Sequence, residues 1–198
     1  MSGDLRQPDR RERNKQEKLR RITDAASRLF AERGVDEVTT REIADAADIG
    51  TGTLFFYAKN KGELLLLVQN SQYADALASG VELADTLEDP FDAVMAILRP
   101  VVECNRKRVD NGRMYLREMV FGDVDEPHHR QALELSARTE AAVAAVIARG
   151  GSVDAEAAAV RARVISAVMF AAMAAPFNVD HSVDQVIQDM ELQVRVLI

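Results

Sequence analysis

Between residues 39 and 57 the chain places two short helical stretches on either side of a three-residue turn, Asp48-Ile49-Gly50. Helices this short are not stable alone, and so short a link forces a steep crossing, so a third element must brace the pair from behind. The brace lies just upstream. Ile22, Ala25, Ala26, Leu29 and Phe30 fall on one helical stripe that stops at Arg33-Gly34, where glycine suits a left-handed cap. Thr39 to Glu42 has the spacing of a capping box and opens the first short helix, with Ile43, Ala44 and Ala47 as its buried side. Ile43, Ala47, Ile49 and Leu54 are expected to bury against Leu29 and Phe30. Thr51, Gly52, Phe56 and Tyr57 then face outward. The second stretch, read as a helix over 51–57, cannot be all core. Successive residues turn by about 100°, so Leu54, Phe55, Phe56 and Tyr57 go round the whole helix. Something must cover the outer side.

Helical periodicity continues to the end, and no strand pattern competes with it. Asn60 to Glu63 caps a helix expected to reach about Ser79. Phe91, Val94, Met95, Leu98 and Val102 form a stripe that contains Pro100, where a kink would free a backbone carbonyl. Asp110, Asp125-Glu126-Pro127, Asp154 and Ser182 open four further helices; the third of these boundaries is preceded by Gly150-Gly151, and Pro176 ends the alanine-rich helix. The expected fold is all-α, with about nine helices: a small N-terminal set, then a larger bundle.

Charge is unevenly placed along the chain. The net charge is −7, yet residues 1–67 carry 13 Lys/Arg and 12 Asp/Glu, and residues 1–21 carry 8 against 4. An acidic body with a basic N-terminal end is what a chain shows when only one end meets an anion; a solvated N-terminus is the plainer reading of the same feature. The lone Cys104 excludes an internal disulfide and fits a reducing compartment. The unbroken apolar run 64–68 is too short to span a bilayer, and no signal peptide is visible, so a cytoplasmic location is expected.

Enzyme chemistry finds no foothold. His128, His129 and His181 lack metal-ligand spacing, and neither a nucleophile elbow nor a phosphate loop occurs. The expectation is no catalytic residue, no metal and no cofactor.

The arrangement is that of a helix-turn-helix, in which a short supported helix enters the DNA major groove. The stretch TTREIADAADIGTGTLFFYAKNKGELL, with LFAERGVDEVT before it, resembles the TetR (tetracycline-repressor-like) family of transcriptional regulators over roughly residues 20–67. The resemblance implies a homodimeric, all-helical regulator with three parts: a basic arm (1–18), a DNA-binding domain (19–67) and a ligand-binding and dimerisation domain (68–198). Matched position by position, Thr40, Tyr57 and Lys61 correspond to phosphate contacts, and Arg41 to a residue that reaches a base edge. Thr51, Gly52 and Thr53 open the reading helix, with Phe56 beside them. Three positions depart from the family pattern. Phe55 lacks the hydroxyl of the usual tyrosine, Ala58 replaces a core phenylalanine, and Gly50 replaces a serine at the turn.

The resemblance also implies a pocket lined by two body helices. Met95, Leu98, Val102, Asn105, Met114, Tyr115, Glu118, Met119 and Phe121 are its candidates, with Asn105, Tyr115 and Glu118 as polar anchors. A small, mostly apolar effector would release a pseudo-palindromic operator from a dimer built on the last two helices. The competing reading is a dimeric helical module that binds DNA without a ligand, or that binds a protein.

Overall fold

Side-chain caps punctuate the chain. In the computed structural model, which describes residues 10–149, 151 and 153–198, the helices run α1 Arg10–Arg33, α2 Thr40–Ala46, α3 Thr51–Leu54, α4 Lys61–Ala84 and α5 Pro90–Arg106. They continue as α6 Val109–Phe121, α7 Pro127–Arg149, α8 Ala155–Ala174, a 3-10 turn Pro176–Asn178, and α9 Val183–Arg195. The side chains of Thr39, Asn60, Asp89, Asp154 and Ser182 each accept a hydrogen bond from a backbone N–H in the first turn they open. No strand occurs among the described residues.

α1, α2 and α3 form a small bundle closed by Phe30, Ile43, Ala47 and Leu54, all buried. Ala58 is buried there as well, so the smaller side chain still fills a core position. α4 runs unbroken from this bundle into the body, and the expected division at residues 67/68 falls within it. Its buried Leu64, Leu65, Leu66 and Val68 join the two parts into one core.

α4 and α5 approach each other closely in the body. A Cβ on Gly80 would lie 2.7 Å from the Ala96 carbonyl oxygen and 2.9 Å from Ile97 Cα. Ala96 is the residue whose helical donor Pro100 removes. The carbonyl freed by the proline therefore faces the Cα of a glycine, an arrangement suited to a Cα–H···O contact. A buried polar chain ties α4 to α6 and α7. Tyr115 Oη donates to Asn70 Oδ1 (2.9 Å), Asn70 Nδ2 donates to the His128 carbonyl (2.9 Å), and Tyr73 Oη and Thr139 Oγ1 share a hydrogen bond of 2.9 Å.

Several expectations are corrected. Residues 10–18 are the first turns of α1 rather than a separate arm; the arm's residues 1–9 and the Gly150 stop lie outside the described residues. α3 ends at Leu54 instead of Tyr57, because the bonds that follow, Phe56 N to Thr53 O and Tyr57 N to Leu54 O, close tighter three-residue turns. Asn60 caps α4, but Glu63 does not return the bond and is buried elsewhere. α4 continues to Ala84, beyond the expected Ser79. The stripe Val186, Ile187, Met190 and Val194 of α9 is buried within the chain's own core, with α9 against α5 and α8, and is not left open for a second copy. On α8, Ala158 and Ala162 are likewise buried, while Val160 and Val164 face out. α8 is long and apolar enough to cross a membrane by length and composition, with 39% of its apolar window buried.

Candidate functional site

The turn and the caps on either side of it set the geometry of the two short helices. Asp48 adopts a positive φ of 53°, a conformation that a short polar side chain tolerates. Arg21 of α1 holds it there, with Nη1 3.3 Å from Asp48 Oδ2 and 3.4 Å from its carbonyl oxygen. Gly50 then caps α3 from extended backbone with no side-chain bond. α2 has the full box: Glu42 N–H donates to Thr39 Oγ1 (3.2 Å), and Glu42 Oε2 accepts from Thr39 N–H (2.8 Å). These bonds, first from the Thr39 backbone, then from its hydroxyl and from Arg33, lower the Glu42 pKa from 4.5 to about 2. The folded value lies below the unfolded one, so this support is present above the ordinary carboxylate range and is lost as the pH falls toward 2. Thr39→Ala is expected to cost about 1 kcal/mol at neutral pH, read as a lowered melting midpoint.

The expected DNA-facing residues divide by availability. Arg41 is available: its side chain is 85% exposed, and among the described residues only Asp45 lies in range, at 4.0 Å. Gly52 has nothing within 4 Å of a would-be Cβ, so the start of α3 is open. Thr40, Thr51 and Thr53 are half-buried on the same two helices, and Phe56, 90% exposed, projects from the turn behind them. Phe55 is also exposed. Tyr57 and Lys61 are held. Tyr57 Oη donates to the Lys15 carbonyl (3.4 Å), and Lys61 Nζ donates to the Asp36 carbonyl (3.2 Å), so each must give up a bond to reach phosphate. Tyr57 also borders a groove with Arg11, Lys15 and Lys18, which puts the basic first turns of α1 beside the reading helix.

The α5–α6 residues do not line one cavity. Met95, Leu98, Val102 and Tyr115 are packed core, and Asn105 Nδ2 is spent on the Gly112 carbonyl at 3.2 Å. Glu118 lies over Gly62 in the first turn of α4, and the Met119 carbonyl accepts from His129 Nε2 (3.1 Å). The open space is on the other side of α6. A cleft of about 520 Å³ runs between α6 and α8, and of the nine candidates it takes in Met114 and Phe121. Phe170 and Ala174 form its α8 wall, and Arg113 and Arg117 reach into it from α6.

Sequence reasoning missed the contacts that join this cleft to the reading head. Asn111 Oδ1 accepts from Val35 N–H (2.8 Å), and Asn111 Nδ2 donates to the Phe30 carbonyl (2.8 Å). Arg108 packs over Gly34, whose φ is +86°, at the C-terminal end of α1. At the other end of the junction, Glu63 is buried in the first turn of α4; burial raises its pKa, an effect that His128 opposes and Glu126 reinforces. His128 Nε2 donates to the Tyr57 carbonyl (2.9 Å). Both ends of the small bundle are thus bolted to the body.

Residues 22–68 match the bacterial regulatory proteins of the tetR family. The chain is similar to the HTH-type transcriptional repressor KstR2 of Rhodococcus jostii, at 35% identity over 74 residues, 34% of this chain and 36% of that protein. It is also similar to the HTH-type transcriptional regulator TtgR of Pseudomonas putida, at 29% identity over 157 residues, 73% of this chain and 74% of the relative. The chain therefore spans little more than a third of the first relative's length, 36%, and most of the second's, 74%. Among solved structures it shares the fold of Thermus thermophilus FadR, a TetR family transcriptional repressor crystallised with lauroyl-CoA. That match has a TM-score of 0.71 at 21% identity and covers 90% of this chain and 92% of the other.

Proposed function

The chain belongs to the tetR family through residues 22–68, and from that premise we propose that it is a ligand-responsive transcriptional regulator, most simply a repressor. A dimer binds a pseudo-palindromic operator and is released by a small, mostly apolar molecule. The observation that carries this reading is the free face formed by Arg41, the open start of α3 at Gly52, and the exposed Phe56.

Arg41 suits bidentate contact with guanine O6 and N7, while Thr40, Tyr57 and Lys61 fit phosphate. Thr51, Gly52 and Thr53 bring backbone close to the groove wall. Arg41→Ala is expected to relax sequence choice at one position, at a cost of roughly 1–3 kcal/mol. Lys61→Ala and Thr40→Ala should weaken all duplexes alike and flatten the salt dependence. Gel shifts at two salt concentrations separate the two patterns; a uniform loss in Arg41→Ala would remove it from the bases.

Two-fold symmetry in the operator requires a dimer. Val160 and Val164 on α8, Leu192 on α9 and Val196 just after it supply apolar surface on the helices through which we assign the pairing. Light scattering should give twice 21.8 kDa at low micromolar concentration; a monomer there removes the symmetric reading.

The α6–α8 cleft is the effector site in this reading, supported by its apolar walls and by the hydrogen bonds from Asn111 to the end of α1. The lauroyl-CoA of the Thermus thermophilus FadR crystal makes a ligand with a long apolar part a reasonable class to test. Met114→Trp should fill the cleft and either mimic the effector or abolish its effect while the dimer persists.

A further inference from the structure

The cleft is polarised along α6. Asp110 stands in the first turn, Arg113 and Arg117 follow at helical spacing, and Val120 and Phe121 close the far end. Arg113 commits one donor, Nη1, to the Ala175 carbonyl at 3.3 Å. A guanidinium has five N–H donors, so most of its capacity is left over. Neither Arg113 nor Arg117 has a carboxylate within 4.0 Å among the described residues, whereas Arg20, Arg21, Arg28, Arg33, Arg99 and Arg149 each do. What sets these two apart is their placement: both guanidinium-bearing side chains stand over the apolar floor of one cleft.

A third guanidinium stands behind them. Arg106 is buried, with Nη2 donating to the Asn178 and His181 carbonyls (2.7 and 2.8 Å) and Nε without a partner. Its charge is disfavoured, first by burial and then by Arg113. Two carboxylates also border the cleft. Asp110 is answered by the positive end of its own helix, and Asp36 sits on the turn between α1 and α2.

We propose that the cleft binds a small amphiphilic anion, its aliphatic or aryl body on Met114, Phe121 and Phe170 and its carboxylate or phosphate end held by Arg113 and Arg117; this rests on the reading of the chain as a ligand-responsive regulator. The volume fits such a molecule, since small-molecule sites run from roughly 300 to 1,000 Å³. The same geometry supplies the coupling. The arriving anion places like charge against Asp36, whose carbonyl holds Lys61 Nζ at 3.2 Å. One residue earlier, Val35 is held by Asn111 at 2.8 Å. Ligand charge in the cleft therefore bears on the turn that positions both α2 and a phosphate-binding lysine. By linkage, the anion weakens DNA binding only as far as DNA weakens the anion.

The test is calorimetric titration of the full-length protein with decanoate, decyl phosphate, 1-decanol and decyltrimethylammonium, each below its micellar concentration. The expected result is one saturable site per chain for decanoate, decyl phosphate or both, at least roughly ten-fold tighter than for the alcohol, with no binding of the ammonium. Which anion binds better tells a carboxylate from a phosphate end group. In the Arg113→Gln/Arg117→Gln double variant, anion affinity should fall roughly ten- to hundred-fold, with the alcohol unchanged. Arg117→Gln alone, which removes no bond within the protein, keeps the test available should the double variant misfold. Equal affinity for anion and alcohol, unchanged anion affinity in the folded variants, or no saturable anion site overturns the proposal. So does a Phe121→Ser protein that sizes as a monomer where the parent is a dimer, because the apolar end would then belong to an interface between copies. Operator binding in the same preparation keeps the two readings apart. A protein that binds operator but no anion loses only this ligand; one that binds no operator loses the regulator reading itself.

Discussion

Gly112→Ala is expected to lower stability by about 3 kcal/mol or more, although alanine is the better helix former. A Cβ at this position of α6 would sit 2.6 Å from Asn105 Oδ1 and nearer still to the Asn105 backbone oxygen. The obstacle is chiefly backbone at the end of α5, so no rotamer change relieves it. The substitution must push α5 and α6 apart and break the 3.2 Å bond from Asn105 Nδ2 to the Gly112 carbonyl. Gly80→Ala should behave alike, since its Cβ would meet the backbone of Ala96 and Ile97. A flexible-tip clash would instead cost little, as at Gly62, where only the Glu118 carboxylate stands in the way. Denaturant unfolding with unchanged slope reads the effect. If Gly112→Ala matched the parent, α5 and α6 would not pack as described.

Asn111→Ala should cost about 2–4 kcal/mol, because it strands two buried backbone groups, the Val35 N–H and the Phe30 carbonyl. Its effect should also be localised. Those two bonds tie the end of α1 to the start of α6, so their loss is expected to free the α1–α3 bundle from the body before the body melts. Hydrogen exchange should show early opening confined to residues 22–58. Asn111→Asp isolates one of the two bonds, since a carboxylate still accepts from Val35 but cannot donate to Phe30. Uniform protection loss across all helices would mean that Asn111 stabilises the whole fold and does not act as a bolt.

Features written in neighbouring residues are legible in the sequence, and features that depend on distant packing are not. Thr39, Asn60, Asp154 and Ser182 cap their helices through bonds spanning three residues, so spacing alone locates those starts. The end of α3 escapes such a reading because Phe55, Phe56 and Tyr57 have ordinary helical propensity. Their backbone tightens where Leu54 and Ala58 are both buried and the Tyr57 carbonyl meets His128, a contact 71 positions away. Residues 10–18 carry almost no apolar stripe, so periodicity has nothing to detect there. Close ion pairs farther along the same helix, such as Glu17–Arg20 at 2.8 Å, show the kind of local support that extends it.

The ligand residues illustrate the same divide. Periodicity on α5 names a buried face, since Met95, Leu98 and Val102 are all inside. It cannot say whether that face meets a void or other side chains, and Tyr115 is spent on Asn70. Arg113 and Arg117 carry no mark in the sequence, because what distinguishes them is their place on the wall of the cleft, a three-dimensional fact. The α9 stripe poses the matching ambiguity. An apolar face satisfied by the chain's own core and one kept for a second copy have the same sequence pattern.

In the function proposed above, α2 and α3, paired across a two-fold axis, read DNA sequence. Selection of duplexes from a random pool by the purified protein tests it without assuming any operator sequence. The expected result is enrichment of an inverted repeat whose half-site centres lie about one helical turn apart. The enriched duplex should bind roughly a thousand-fold or more tighter than a scrambled one at physiological salt, with that preference abolished by Gly52→Glu in a protein that remains folded and dimeric. A pool that stays random after repeated rounds, or a repeat bound equally well by Gly52→Glu, would contradict it.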